Sequence, residues 1–333
     1  MAAIGAPWPA AVGVSGGSDS LALMFLLRDW ARRRRLAAPV VLCVDHRMRP
    51  ESAREAHQVA AWSRKAGLVA HVLHAADAIT AQSDIEAACR TLRFRLFGEW
   101  AAKRKLHAVY LAHTLDDQAE TFLIRLARGS GVDGLAAMRS VTCFPVPAFA
   151  HLKVVRPLLG FRRGELRGYL KDAGRTWFED PMNGDVRFLR ARIRQAWPQL
   201  EALGLTRLRL AETAGHLGRA RAALDSASQA VAARAFRPLP DGVAADPRAL
   251  AAAPRELALR ALAGILMLVG QRAYRPRFES LAALFDSLIG SGIGNGKTLH
   301  GCRIAPATPK CAPFGACTLL IRPEKPSNTL GKG

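Results

Sequence analysis

Residues 10–27, AAVGVSGGSDSLALMFLL, set a short apolar run, Ala10 to Val14, directly before two glycines and follow them with an apolar, helix-like stretch from Leu21 to Leu27. A strand that enters a helix through Ser15-Gly16-Gly17-Ser18-Asp19-Ser20 reads as a cradle for pyrophosphate. Two glycines remove the Cβ atoms that would keep a phosphate from the backbone, and the serines add hydroxyl donors beside the amides of a helix N-terminus. Asp19 is placed to orient Mg²⁺ on the phosphates. The alternative is an ordinary strand-to-helix turn with a Ser or Asp cap.

The loop lacks the glycine and following lysine of a Walker loop. Its short SGGxDS form resembles instead the PP-loop of ATP pyrophosphatases, which split ATP between the α and β phosphates, adenylate an acceptor and release pyrophosphate. Around it, strand-like runs at Ala11 to Val14, Val40 to Asp45, Val69 to His74 and Ala108 to Ala112 alternate with helical patterns. This rhythm predicts an α/β fold: a parallel sheet with helices on both faces and ligands beyond the carboxyl ends of the strands. Ser15 follows the first strand, Asp45 ends the second and His113 follows the fourth.

Further along, glycines and prolines after Gly129 mark loops, then come a strand at Lys153 to Val155 and a helix from Arg162 to Ala173. Gln199 to Arg234 has the spacing of one long helix, Pro238 to Pro247 reads as a turn-rich linker, and Arg248 to Leu288 is helical again. Short strands are expected at Thr298 to Ile304 and Cys317 to Ile321. The expected organisation is a nucleotide-binding catalytic domain over 1–197, a helical linker over 198–247, a small α+β domain over 248–325 and a disordered tail over 326–333.

The 333 residues carry 48 Lys and Arg against 27 Asp and Glu, a formal net charge of +21, which points to a polyanionic partner. No segment has the length and purity of a membrane span, and the 14 residues before the loop hold no basic leader, so a cytoplasmic protein is expected. The six cysteines form no CxxC pair, which excludes a zinc ribbon and makes a disulfide framework improbable. Gly290 to Thr298 imitates a Walker loop, but the spacing fails and the segment follows a helical pattern rather than a buried strand. It reads as a turn, with Lys297 available to a phosphate.

The second constellation is AHTLDDQAET at residues 112–121. If a helix starts near Thr114, then His113, Asp116, Asp117 and Glu120 fall at i, i+3, i+4 and i+7 and share a face. Three carboxylates so close repel one another unless a cation joins them, either a metal ion or the ammonium of an amine substrate. A solvated helix face is the competing reading.

SGGSDS at 15–20, VDHRMRPES at 44–52, CRTLRFRLF at 89–97, AHTLDDQAETFLIRLARGSGVDGLAAM at 112–138, RPLL at 156–159 and DPMNGDVRFLRARIR at 180–194 resemble, in this order, the tRNA(Ile)-lysidine synthetase family. TLHGC at 298–302 resembles its following small domain, and the resemblance ends short of the additional C-terminal domain of longer relatives. It implies a ligase that joins the amine of free lysine to C2 of the wobble cytidine in the CAU-anticodon tRNA(Ile), using ATP and Mg²⁺. Decoding then changes from AUG to AUA.

On this chain the resemblance makes Ser15, Gly16, Gly17, Ser18, Asp19 and Ser20 the ATP loop, with Asp19 toward Mg²⁺ and Asp45 near the nucleotide. Asp117 and Glu120 would hold lysine with His113 close by, while Asp116 has a structural alternative. Arg190, Arg192 and Arg194 would meet tRNA or phosphate, or else line an edge strand or helix end, and Asp180 and Asn183 would shape the preceding loop. A homodimer is also implied. The chain departs from the family pattern at Arg47 (commonly Gly), Thr114 (commonly a second His) and Ala191 (commonly Asn). The competing functions are a tRNA thiolation enzyme, which generally needs a persulfide cysteine or an iron-sulfur CxxC set, a small-molecule amidoligase, and a non-catalytic basic RNA-binding protein.

Overall fold

The apolar run ahead of the glycines is strand β1 (Ala10–Gly13), and all four of its residues are buried. The computed structural model describes residues 5, 7–47, 50–75, 85–179, 189–272, 274–290, 292–308 and 312–324. They fall into two units, Met1–Gly218 and Arg219–Gly333.

In the first unit β1 is followed by α1 (Ser18–Arg33), β2 (Val40–Asp45), α2 (Pro50–Lys65), β3 (Ala70–His74), α3 (Ile85–Lys103), β4 (Ala108–Tyr110) and α4 (Leu115–Leu126). After these come α5 (Val132–Leu135), β5 (Val141–Cys143), β6 (Lys153–Val155), α6 (Arg163–Asp172), α7 (Leu189–Gln195), α8 (Trp197–Ala202) and the start of α9 (Arg207–Ala235). The sheet order is β3-β2-β1-β4-β6-β5, parallel except for β5, which pairs antiparallel with β6.

The period-two alternation of β1 sorts its side chains between two cores. Ala10 and Val12 pack with Leu21 and Met24 of α1 and with Leu166 and Leu170 of α6. Ala11 packs on the other face with Leu42, Val109 and Phe94 and Phe97 of α3. Large side chains buried this fully contribute roughly 2 kcal/mol each. The order of connection reverses between β1 and β4, so the loops that follow these two strands, and the N-termini of α1 and α4, flank the crevice where such sheets bind ligands.

The expected strands of this unit and the helix over Arg162 to Ala173 are present with small changes at their ends, whereas the one strand expected over Thr298 to Ile304 is two antiparallel strands joined by a turn at His300 and Gly301, both with positive φ. Strand β5 is an addition, a three-residue edge too short to stand out among the loops around it. The single long helix expected from Gln199 is broken: α8 ends at Ala202, Gly204 just beyond it has a φ of +81° that suits glycine, and the Leu205 amide closes the turn on the Leu200 carbonyl.

The second unit holds the rest of α9, then β7 (Phe236–Leu239), β8 (Gly242–Ala245), α10 (Pro247–Ala251), α11 (Arg255–Val269), α12 (Phe278–Ile289), β9 (Lys297–Leu299), β10 (Cys302–Pro306) and β11 (Leu319–Pro323). Its antiparallel sheet runs β7-β8-β11-β10-β9, and its core includes Phe236, Leu250, Leu262, Leu266, Phe285, Ile304 and Ile321. The stretch 238–247 is therefore no linker. It is a hairpin in which Leu239 faces Gly242 across a Pro-Asp turn, and Pro238 is tolerated because β7 is an edge strand. The unit boundary accordingly falls inside α9 rather than at 197 and 247. The Walker-like stretch follows α12 as read, and Lys297 donates to the Ser287 hydroxyl at 2.5 Å. Residues 180–188, with Asp180 and Asn183, and the tail 326–333 lie outside the described residues.

Candidate active site

The loop after β1 is knotted around one hydroxyl. Ser20 Oγ accepts from the Ser15 amide at 3.2 Å, donates to the Gly17 carbonyl at 2.9 Å and lies 3.3 Å from Ser15 Oγ. Gly16 has a φ of +93°, and a Cβ there would stand 2.7 Å from the Phe178 ring and 2.9 Å from Val59. Its carbonyl accepts from the Phe178 amide at 2.9 Å. Gly17 differs: its φ is −73°, and a Cβ there would meet nothing nearer than 3.8 Å. As the N-cap of α1 it makes no side-chain hydrogen bond, so the first-turn amides of α1 have no side-chain cap competing with an anion.

Helix α4 starts where the sequence places it. Thr114 is its N-cap in a capping box: Asp117 Oδ2 accepts from the Thr114 amide and hydroxyl at 2.9 Å each, and Thr114 Oγ1 accepts from the Asp117 amide at 3.3 Å. The departure from a second histidine thus supplies a good cap. His113 precedes the cap and stands off the helix, so the expected four-residue stripe is shorter. Its Nδ1 is buried without a hydrogen-bond partner. Burial, together with Arg156, Arg90 and Arg93, pushes the imidazole well below its ordinary range against the opposing pull of Asp117, so it is neutral at pH 7.

Asp116 is a staple. It accepts from the Arg163 amide at 2.8 Å and pairs with Arg207 Nε at 3.1 Å, tying α4 to the starts of α6 and α9. Asp117 and Glu120 meet cations. Arg163, the first residue of α6, reaches three carboxylates: Nε to Asp19 Oδ2 at 2.9 Å, Nη2 to Asp117 Oδ1 at 3.5 Å and Nη1 to Glu120 Oε1 at 3.6 Å. Arg194 forks onto Glu120 at 2.7 and 3.1 Å, and Arg190 Nε lies 3.3 Å from the same carboxylate.

Burial pushes the Asp117 carboxyl up, but Arg163 and the Thr114 amide outweigh it and hold it below the usual range. At Asp19 burial prevails and raises the pKa, with Arg163 pulling the other way. Burial opposes the charge of Arg163 itself, yet Asp117, Asp19 and Glu120 keep it firmly protonated.

The three arginines of the RARIR segment divide. On a helix the i and i+4 positions share a face, so Arg190 and Arg194 both turn to Glu120 and Arg192 is exposed. Asp45, buried at the end of β2, accepts from the Arg47 amide at 2.9 Å and the Ser52 hydroxyl at 2.6 Å, and His74 Nδ1 lies 3.5 Å from its other oxygen. Burial pushes Asp45 up, and these donors together bring it below the carboxylate range. Arg47 adopts a φ of +52°, a left-handed conformation that suits glycine better than arginine. Arg163 went unread in the sequence. The only signal for it was the requirement that the carboxylates share a cation, and in so arginine-rich a chain that does not select one residue.

A switch-point crevice with a glycine phosphate loop on one side and a carboxylate helix on the other defines a nucleotide-using PP-loop protein. Residues 8–200 match the PP-loop domain family. The chain is 33% identical to the tRNA(Ile)-lysidine synthase of Wolbachia pipientis wMel over 94% of its own length and 70% of the relative's. It is 40% identical to that of Ruegeria pomeroyi (88% and 70%) and 36% to that of Hyphomonas neptunium (92% and 83%). The chain belongs to the tRNA(Ile)-lysidine synthase family. The structure of the U34-tRNA thiolase NcsA from Methanococcus maripaludis, with its [4Fe-4S] cluster, has the same fold at a TM-score of 0.51 and 17% identity, covering 63% of this chain and 71% of that one. No helix among the described residues is long and apolar enough to cross a membrane.

Proposed function

We propose that this protein ligates free lysine to C2 of the wobble cytidine of the CAU-anticodon tRNA(Ile), consuming ATP and releasing AMP and pyrophosphate in the cytoplasm. The observation that carries the reading is the nearness of two half-sites, the uncapped first turn of α1 and the carboxylates of α4, whose Asp19, Asp117 and Glu120 all meet the one guanidinium of Arg163. In the first step cytosine O2 attacks the α-phosphorus and pyrophosphate leaves, its charge met by the first-turn amides of α1 and the Ser15 and Ser18 hydroxyls. In the second the lysine amine attacks the adenylated C2, the C2–O bond breaks and AMP departs, with the ammonium proton lost on the way. Asp117 and Glu120 desolvate and orient that amine, and their lowered or arginine-paired carboxylates act by position more than as strong bases.

Asp19 suits Mg²⁺: it is a hard oxygen donor at the phosphate loop, with Oδ2 paired to Arg163 and Oδ1 accepting only from the Ser18 hydroxyl among the described residues. Among the described residues no three His, Cys, Asp or Glu side chains group as a metal cage. A single carboxylate plus phosphate oxygens is the usual protein share of such a site. The ion would neutralise charge on the phosphates. Asp45 fits the nucleotide side, Arg192 is the RARIR arginine free to meet RNA, and the family resemblance supports a homodimer whose chain carries a catalytic unit followed by a tRNA-contacting one.

The test is incubation with ATP, Mg²⁺, labelled lysine and a CAU-anticodon tRNA(Ile) transcript, following AMP release and label on the RNA. Unlabelled tRNA, from folded protein that binds ATP, would sink the proposal.

A further inference from the structure

We infer that Arg163 is a positioning residue that couples the two half-sites: it occupies the carboxylates of Asp117 and Glu120 until a triphosphate at the Ser15–Ser20 loop draws its guanidinium away, and the substrate ammonium takes the place it leaves. This rests on the reading of Asp117 and Glu120 as the amine site.

Charge balance makes the first argument. Asp19, Asp117 and Glu120 are matched by Arg163, Arg190 and Arg194, three carboxylates against three guanidiniums. A further cation entering such a cluster finds no net attraction, because each carboxylate it approaches is already shared. The net negative charge of a magnesium-bound triphosphate restores the attraction, so the amine site becomes receptive only when the nucleotide is present.

Geometry makes the second. The contacts of Arg163 are unequal: Nε holds Asp19 at 2.9 Å, while the two Nη groups stand 3.5 and 3.6 Å from Asp117 and Glu120. The short bond is a pivot beside the phosphate loop, and the long ones are the contacts that an incoming anion can replace. The backbone is fixed, since the Arg163 amide is held by Asp116 at 2.8 Å and α6 packs along α1 through Leu166 and Leu170. The side chain keeps 22% exposure, room enough for a planar fork to turn about its tether.

Equilibrium dialysis with labelled lysine, with and without Mg²⁺ and the non-cleavable α,β-methylene analogue of ATP, tests this. In the unmodified protein the analogue should tighten lysine binding by about 10-fold, within the usual range of site coupling. In Arg163→Gln lysine should bind without nucleotide, and the analogue should change its affinity less than about 2-fold. Arg163→Lys, whose point charge cannot span Asp19 and both α4 carboxylates, should fall between them, and it carries the test if Arg163→Gln does not fold. A merely structural role would lower stability and leave the nucleotide dependence intact.

Equal lysine affinity with and without analogue in the unmodified protein, or coupling retained in both variants, overturns the inference while leaving lysine transfer to tRNA in place. Absence of lysine binding in every condition, together with unlabelled tRNA, removes the parent reading and this inference with it.

Discussion

The phosphate loop and the carboxylate cluster sit on opposite sides of one crevice and are built in different ways. The loop is local: Ser15, Gly17 and Ser20 bond one another within six residues of chain, and the Gly16 carbonyl reaches outside, to the Phe178 amide. The cluster is assembled from afar, with Arg163 meeting Asp19 across 144 positions and Arg194 meeting Glu120 across 74. A site made of backbone conformation is carried by consecutive residues. One made of compensated charge depends on the tertiary fold that gathers its partners.

The largest effect expected from breaking this contrast is on the cluster side. Glu120→Ala leaves Arg194 and Arg190 facing a buried void, and urea denaturation should show a loss of about 3 kcal/mol, as when one partner of a buried ion pair is removed. Lysine transfer to tRNA should be abolished in the same protein. Stability within about 0.5 kcal/mol of the parent would mean that the cluster is solvated after all.

On the loop side, adjacent glycines should separate fold from ligand. Gly16→Ala forces a left-handed φ and a clash with Phe178 and Val59, and should cost about 2–3 kcal/mol of stability. Gly17→Ala meets only ordinary contacts and should leave the denaturation midpoint unchanged, yet weaken ATP binding by at least about 10-fold, because the Cβ stands where phosphate approaches the α1 amides. Equal ATP affinity in Gly17→Ala and the parent would dismiss the cradle.

His113 gives a pH signature. It is held neutral in the folded protein but takes a proton near pH 6.5 once unfolded, so the unfolded state binds more protons below that pH. Stability contributed by this group is complete above about pH 6.5 and falls by up to about 1.4 kcal/mol per unit as pH drops below it. His113→Gln should flatten the slope of unfolding free energy between pH 6.5 and 5. The lowered carboxylates Asp117 and Asp45 act in a lower window: their stabilisation is present above the ordinary carboxylate pKa and is lost as pH falls through their folded values. Asp19, raised by burial, has the opposite sign.

The smallest effect is expected at Arg47. Relief of its left-handed backbone should let Arg47→Gly stabilise the protein by no more than about 1 kcal/mol, after allowance for the greater freedom of glycine in the unfolded chain. Thermal melting reads it, and a lowered midpoint would show that the Arg47 side chain contributes more than its backbone strain.

What could be read from sequence follows the same division. Strands β2 and β6 and the loop were legible because apolar runs and glycines are local signals. The acidic residues of α4 were legible as a group, but their individual roles were not: Asp116 became a staple through the Arg163 amide and Arg207, contacts that only the packing of α6 and α9 creates. The RARIR arginines separated once the segment proved helical, since alternate residues point apart on a helix and together on a strand. Strand β7 was hidden by Pro238, whose composition signal belongs equally to linkers and to sheet edges.

Pro238 has a further consequence for life at high protein concentration. The second sheet ends in β7 on one side and in the three-residue β9 on the other. An outer strand normally offers a row of donors and acceptors that another chain can extend, but β7 lacks one amide hydrogen at Pro238 and carries Arg237 beside it. Opposite, β9 begins at Lys297 and is too short to template a partner. Both rims are thus poor seeds for chain-to-chain sheet growth, so a crowded or partly assembled population of this protein should resist fibrous association through this unit.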